Sequence, residues 1–280
     1  MTVSRTIKQS IALWCFETAG WSLARTIEAA KSLGCPSVEL VDPSDWGLLR
    51  DAGLSCAIAL NGMEGAPFVK GLNNLDFHDE VITNTSRMID ACGASDGLCT
   101  QVIAFTGYHF RDPEDPTSQV IGLDEGSDNT VKGLRALGEY AAKVGVTVSI
   151  EQLNTRDDTH PMKGHPGYQG DDIEYVADIV KRVDLPNVKL LFDLYHVQIM
   201  NGDLVRRIHE YAPLIGHVHV AGNPGRAELD LDDQEINFPA CMRALAEAGY
   251  AGYVGQEWIP TTEGDEVYAA LERAVAMCDV

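Results

Sequence analysis

Positive charge is scarce in this chain. Lys and Arg total 21 against 42 Asp and Glu, a formal net charge of −21. A polyanion would be repelled by such a surface. Nucleic acid and anionic membranes are therefore not expected as partners, and an anionic substrate would need locally placed positive charge. Long apolar runs are also missing. None approaches the ~18 residues that a membrane span requires. The N-terminal stretch MTVSRTIKQSIALWCFE is broken by Glu17 and is too short for the apolar part of a secretion signal. The seven cysteines show no CxxC or CxxH spacing and are odd in number. They read as buried, reduced thiols in a cytoplasmic protein, rather than a disulfide framework or zinc ribbon. No glycine-rich GxGxxG follows the first strand pattern, so a dinucleotide fold has no support.

What is present is apolar mass arranged in alternation. The chain has 280 residues and is 45% hydrophobic, enough for one α/β barrel of about 250 residues. Strand patterns fall at residues 10–16, 37–42, SCAIALNG ending at Asn61, 100–107, 146–154, 188–194, 216–221 and 253–259. Helical patterns follow at 22–33, DWGLLRDAG, 77–91, 129–144, 171–183, 204–211, 238–248 and 265–278. Alternation on this scale implies parallel strands with right-handed crossovers. Eight such units predict a single (β/α)8 TIM barrel over residues 1–280, with no linker to divide it. Long loops follow strands three, four, five and seven, which puts them on the face where such barrels carry their sites.

Four successive strand patterns end in chemistry-bearing residues. VTVSIEQLN carries Glu151, VKLLFDLYH carries Asp193 and then His196, GHVHVAGNPGR carries His219 and then Arg226, and YVGQEWIP carries Glu257. A carboxylate at the tip of a buried strand loses hydration, so it must be neutral, ion-paired or metal-bound. Any one of these residues alone reads as a paired group at a strand end. Taken together, Glu151, Asp193, His219 and Glu257 occupy matching positions that a closed barrel brings to one side of its rim. Three carboxylates and one imidazole form a mainly hard donor set, suited to Mn²⁺, Mg²⁺ or Co²⁺ rather than to structural zinc. Alone, His196 reads equally as a cap of strand six or of the next helix, and Arg226 as an ordinary surface residue. With a metal site beside them they are the nearest candidates for holding substrate oxygens, one as a tunable proton carrier and the other as a rigid donor fork. His217 is expected on the opposite strand face from His219, in a structural role. Trp14, Phe16, Phe105 and Trp258 fall at strand positions that suit core or pocket wall, and core is the expected place. His109, His160, Lys163 and His165 lie in loops from which they could reach the site, and they read as exposed.

The segments IEQLN, LLFDLYHVQIMNGD, IGHVHVAGNPGR and EINFPACMRALAEAGYAGYVGQEW resemble the hydroxypyruvate isomerase family, within the xylose-isomerase-like barrel sugar isomerases and epimerases. The resemblance is specific from about residue 134 to 260 and architectural before that. It implies metal ligands at Glu151, Asp193, His219 and Glu257, with the two glutamates doubling as acid and base. It also implies substrate contacts at His196 and Arg226, and it is compatible with a homo-oligomer. Two features depart from the family's pattern. Hydroxypyruvate isomerases tend to carry Gln where this chain has His219, whereas ketose 3-epimerases have His. The loop GMEGAPFVKGL replaces a Gly-Asp-Trp-containing loop after strand three.

The expected chemistry is proton transfer beside a carbonyl through an enediolate, on a small hydroxy-carbonyl compound of the hydroxypyruvate-to-tartronate-semialdehyde type. Returning the proton to the neighbouring carbon isomerises the substrate, and returning it to the opposite face epimerises it. The alternatives are a ketose 3-epimerase acting on a free sugar and a keto-polyol dehydratase on the same scaffold. A barrel endonuclease would need more metal-binding histidines and a basic groove. A non-catalytic sugar-binding protein would need no paired glutamates.

Overall fold

The computed structural model describes residues 7–280. Part of the N-terminal run judged too short for a secretion signal, residues 1–6, lies outside the described residues. The described elements run in chain order as β1 Lys8–Ala12, α1 Leu13–Glu17, α2 Leu23–Leu33, β2 Ser37–Glu39, α3 Trp46–Ala52, α4 His78–Gly93, β3 Gln101–Ala104 and α5 Leu123–Ala142. They continue as β4 Thr147–Glu151, α6 Ile173–Val183, β5 Val188–Asp193, α7 Leu194–Met200, α8 Leu204–Tyr211, β6 Ile215–Val220, α9 Phe238–Glu247, β7 Tyr253–Gln256 and α10 Asp265–Met277. This is the alternation expected, with seven strands rather than eight among the described residues.

The chain clusters into two compact units, Met1–Ala57 with Asp193–Val280, and Ile58–Phe192. In the first, β1 pairs in parallel with β2 on one side and with β7 on the other, and β7 pairs in parallel with β6. In the second, β4 pairs in parallel with both β3 and β5. Strand residues such as Ile11, Val38, Val102, Ile150, Leu190, Val218 and Val254 are almost fully buried. Parallel strands covered on both faces take this near-continuous apolar composition. Helix ends follow local chemistry. Ser22 accepts from the Arg25 N–H to open α2, and Gly34 closes it at φ 70°. Asp172 accepts from the Glu174 and Tyr175 N–H groups to open α6.

Three expectations need correction. The expected third strand, ending at Asn61, is not a strand. It makes only isolated parallel bridges, Ser55 to Ser37 in the first unit and Ala59 to Val102 in the second. One residue pair on each neighbour is too few to build a ladder. The first strand ends at Ala12 rather than Phe16. Its ladders to β2 and β7 stop at Ala12 and Ile11, so the N–H and C=O groups that follow are satisfied by a helical turn, α1. Helix α5 begins at Leu123, six residues before the expected Asn129. The acidic Asp124 and Glu125 in its first turn suit a helix N-terminus.

All seven cysteines are buried, as expected. Phe16 and Trp258 pack edge-to-face in the core at 5.1 Å between ring centroids, and Phe105 is buried. No helix among the described residues is long and apolar enough to cross a membrane.

Candidate metal centre and its surroundings

In the first unit the site is built outward from strand ends. Asp193 is the last residue of β5 and also the cap of α7, where its Oδ1 accepts from the Tyr195 N–H at 2.7 Å and the His196 N–H at 3.4 Å. One carboxylate oxygen is thus committed to the backbone. The other, Oδ2, is buried and makes no hydrogen bond. It faces His196 Nε2 at 3.6 Å and Arg226 Nη2 at 3.8 Å. His219 sits near the end of β6 and is fully buried. Its Nδ1 lies 2.8 Å from Glu257 Oε2, and its Nε2 lies 2.9 Å from Glu39 Oε1. Glu257 follows β7 directly and is held there by its N–H donating to the Val220 carbonyl at 3.0 Å. Trp14 Nε1 donates to its Oε1 at 2.9 Å, and Arg226 Nη2 donates to its Oε2 at 2.6 Å.

Arg226 comes from the loop after β6 and adopts a left-handed conformation, φ 53°, which is uncommon for a residue with a side chain. The loop fixes it there. Gly222 and Ala227 exchange backbone hydrogen bonds around it, and its carbonyl accepts from the Ile259 N–H at 2.7 Å. Its guanidinium lies over the Trp14 ring at 5.1 Å and near the Tyr195 ring at 5.9 Å, which adds cation–π attraction to the ion pairs.

The charges respond to this packing. Burial acts to raise the Glu257 carboxyl, but His219 and Arg226 outweigh it and hold the group down at about 2. Glu257 is therefore ionised at neutral pH. Asp193 goes the other way. Burial pushes it up, Arg226 opposes this, and the neighbouring Glu257 charge adds to the rise. Glu39 is fully buried, yet His217 and His219 bring its carboxyl well below the usual range against the effect of burial. Burial lowers the His217 imidazole.

Two expectations change here. His217 and His219 are two residues apart on one strand, and the period of two puts them on the same face. Both reach Glu39, His217 through Nε2 at 3.1 Å. Trp14, expected in the core, bonds directly to Glu257. Glu39 was not singled out at all. Its signal was available, because a lone carboxylate in the short apolar stretch SVELV is the same anomaly that marks Glu151.

In the second unit Glu151 ends β4 and is buried. Its carbonyl accepts from the Tyr168 hydroxyl at 2.8 Å, and that hydroxyl in turn accepts from the Thr106 N–H at 3.0 Å. Nearby, Gln152 Nε2 donates to the Asp171 carbonyl and Asn154 Nδ2 to the Lys163 carbonyl. Of the four loop residues expected at the surface, His160 is exposed and His109 and Lys163 are half-buried. His165 is buried against Phe68, with ring centroids 4.1 Å apart. An aromatic neighbour 97 residues away in the chain is invisible to a reading of the local loop.

The donor set fits a divalent cation. Asp193, His219 and Glu257 each offer a ligand atom, all within 4.8 Å of one another and all buried. A buried Asp193 oxygen without a hydrogen bond, beside a second carboxylate, is a costly arrangement that a bound cation relieves.

A model of the xylose isomerase-like TIM barrel family matches residues 27–275. The chain belongs to this family, and its fold is that α/β barrel. Among curated relatives, a Xenopus laevis protein provisionally named hydroxypyruvate isomerase is 34% identical over 157 residues, which are 55% of this chain and 54% of that protein. The 3-dehydro-D-guloside 4-epimerase of Escherichia coli K12 is 29% identical over 221 residues, covering 75% of this chain and 74% of that one. The chain spans about half the length of the hydroxypyruvate-isomerase-named relatives it matches. A crystal structure of an AP endonuclease, family 2, from Brucella melitensis superposes with a TM-score of 0.76 at 25% identity, covering 96% of this chain and 97% of that one.

Proposed function

We propose that the protein is a metal-dependent isomerase of a small hydroxy-carbonyl compound, of the hydroxypyruvate type, working as one barrel over residues 1–280. The observation that carries this reading is the buried trio of Asp193, His219 and Glu257 with the unbonded Asp193 oxygen. We assign Glu151 as the fourth ligand, from its matching position at a buried strand end. When bound, Mn²⁺ or Mg²⁺ (Co²⁺ being a further candidate) supplies Lewis-acid stabilisation of charge developing on the substrate's oxygens.

The remaining work falls to the chain's own side chains. Glu257, held ionised by His219 and Arg226, and Glu151 act as the base and acid pair that takes a proton from one carbon and returns it. A carboxylate is a weak base, so removing a C–H proton needs the electrophilic help of the site. His196 and Arg226 flank the Asp193 and Glu257 oxygens and hold substrate oxygens. Arg226 is the local positive charge that a carboxylated substrate needs against a net charge of −21. A small-molecule substrate in the cytoplasm, and a chain able to self-associate, complete the reading.

The second reading is an epimerase, favoured by His219 in place of Gln and by the similarity to the 4-epimerase over three quarters of the chain. Both readings, and the dehydratase, pass through the same proton abstraction. The test is to load the protein with Mn²⁺ and incubate it in D₂O with hydroxypyruvate, and separately with ketoses, following exchange and products by NMR. Exchange that disappears in Glu257→Gln supports the reading. The product then separates isomerase, epimerase and dehydratase. Absence of metal uptake and of exchange with every compound sinks it.

A further inference from the structure

We propose that Glu39 is a positioning residue for His219: its carboxylate accepts the Nε2 proton and so presents Nδ1 toward Asp193 and Glu257. This rests on the metal-site reading above. The argument begins with an oddity of placement. Glu39 lies on β2, whereas His217 and His219 lie on β6, and β1 and β7 intervene. A carboxylate crosses two strands only if the residues beneath it are small. They are. Ala12 pairs with Glu39, Ser10 with Ser37, and Gly255 with both Ser10 and His219.

Gly255 is the tightest point. A Cβ there would lie 2.8 Å from His219 Cδ2 and closer still to Glu39 Oε1. Its backbone is not in the left-handed region that favours glycine, so space rather than dihedral freedom demands glycine. Ser10 satisfies itself by donating to Ser37 Oγ at 3.0 Å, and Ser37 donates to the Ser55 carbonyl. Neither serine competes for the carboxylate.

The Glu39 carboxylate therefore ends between two imidazoles, with one oxygen 2.9 Å from His219 Nε2 and the other 3.1 Å from His217 Nε2. All three side chains are fully buried. An imidazole caught between two carboxylates has two edges with different roles. The Glu39 edge takes a proton, and the Glu257 edge at 2.8 Å takes either a second proton or a cation. A fixed Nε2–H orients the ring and raises the basicity of Nδ1. His217 holds the second Glu39 oxygen and keeps the carboxylate from rotating away.

The test compares wild type, Glu39→Leu, which has no acceptor, and Glu39→Gln, whose amide oxygen still accepts. Mn²⁺ binding is measured by calorimetry. Imidazole protonation is read by long-range ¹H–¹⁵N NMR in the metal-free and Mg²⁺-loaded states, with the His219 signals assigned by His219→Gln. Wild type is expected to keep the His219 Nε2 proton in both states. Glu39→Leu should lose that fixed proton and bind Mn²⁺ about 10–100-fold more weakly. Glu39→Gln should retain the tautomer and recover part of the affinity, which a purely packing role would not produce. Unchanged affinity and tautomer in Glu39→Leu overturn the proposal. So does a wild-type stoichiometry of two ions that falls to one in Glu39→Leu, because Glu39 would then be a ligand itself. If wild type takes up no Mn²⁺, the metal-site reading fails alone, and the Nε2 proton in the metal-free protein still decides the role of Glu39.

Discussion

Replacing Arg226 with leucine should destabilise the metal-free protein severely, and a metal ion should restore much of the loss. In the native packing the guanidinium donates to Glu257 Oε2 at 2.6 Å and stands 3.8 Å from Asp193 Oδ2. Arg226 and both carboxylates are at least 96% buried. Removing the cation leaves two carboxylates sharing a dry site. Breaking a buried pair from one side costs about 3–5 kcal/mol. For a chain of this length that corresponds to a fall in melting temperature of roughly 6–10 °C, at about 2 °C per kcal/mol. The assay is thermal unfolding by far-UV circular dichroism at neutral pH, in EDTA and in excess Mn²⁺. An ion at 100-fold its Kd adds about 2.7 kcal/mol to either protein. It also neutralises the charges that the variant leaves exposed to each other, so the gap between wild type and variant should narrow in Mn²⁺. A loss below about 1 kcal/mol in EDTA would place Arg226 in the surface range of ion pairs and refute the reasoning. An equal loss with and without Mn²⁺ would refute the link between Arg226 and the metal.

The pH dependence has a definite sign. The Glu257 carboxyl is held at about 2 against an ordinary 4.5, so its stabilising contribution is complete above about 4.5 and is lost as pH falls from there toward 2. Urea titrations of the metal-free protein across that window should show the decline, and Glu257→Gln should flatten part of it. Asp193→Asn keeps an oxygen to cap α7 and relieves a buried charge, so in EDTA it should melt no lower than wild type yet gain nothing from Mn²⁺. Asp193→Ala should lose a further ~1 kcal/mol with the cap, read as the melting difference between the two variants. Gly255→Ala should cost about 1–3 kcal/mol by overpacking against Glu39 and His219, measured by urea denaturation.

The architecture was legible because it is written in local periodicity. Buried parallel strands need continuous apolar residues, and the helical patterns at 204–211 and 238–248 coincide with α8 and α9 to within a residue. The misses come where neighbours decide. Residues 55–61 look like a strand, but their parallel bridges are the isolated ones at Ser55 and Ala59. Residues 13–16 look like more of β1, but both partner strands have already ended. Asp193, His219 and Glu257 were visible because a polar group ending an apolar strand stands out. Trp14 and His217 were misjudged because an aromatic or a second histidine on such a strand reads equally well as core.

The sequence by itself determined that Asp193, His219 and Glu257 lie at the buried ends of apolar strands, since burial of the flanking Val, Leu and Phe compels it. Tertiary structure alone decided how those charges are answered. Arg226 reaches Glu257 from a loop in an uncommon backbone conformation, and Glu39 reaches His219 across two strands over Ala12, Ser10 and Gly255. Both depend on contacts between residues far apart in the chain, where only packing sets what lies within 3 Å of what.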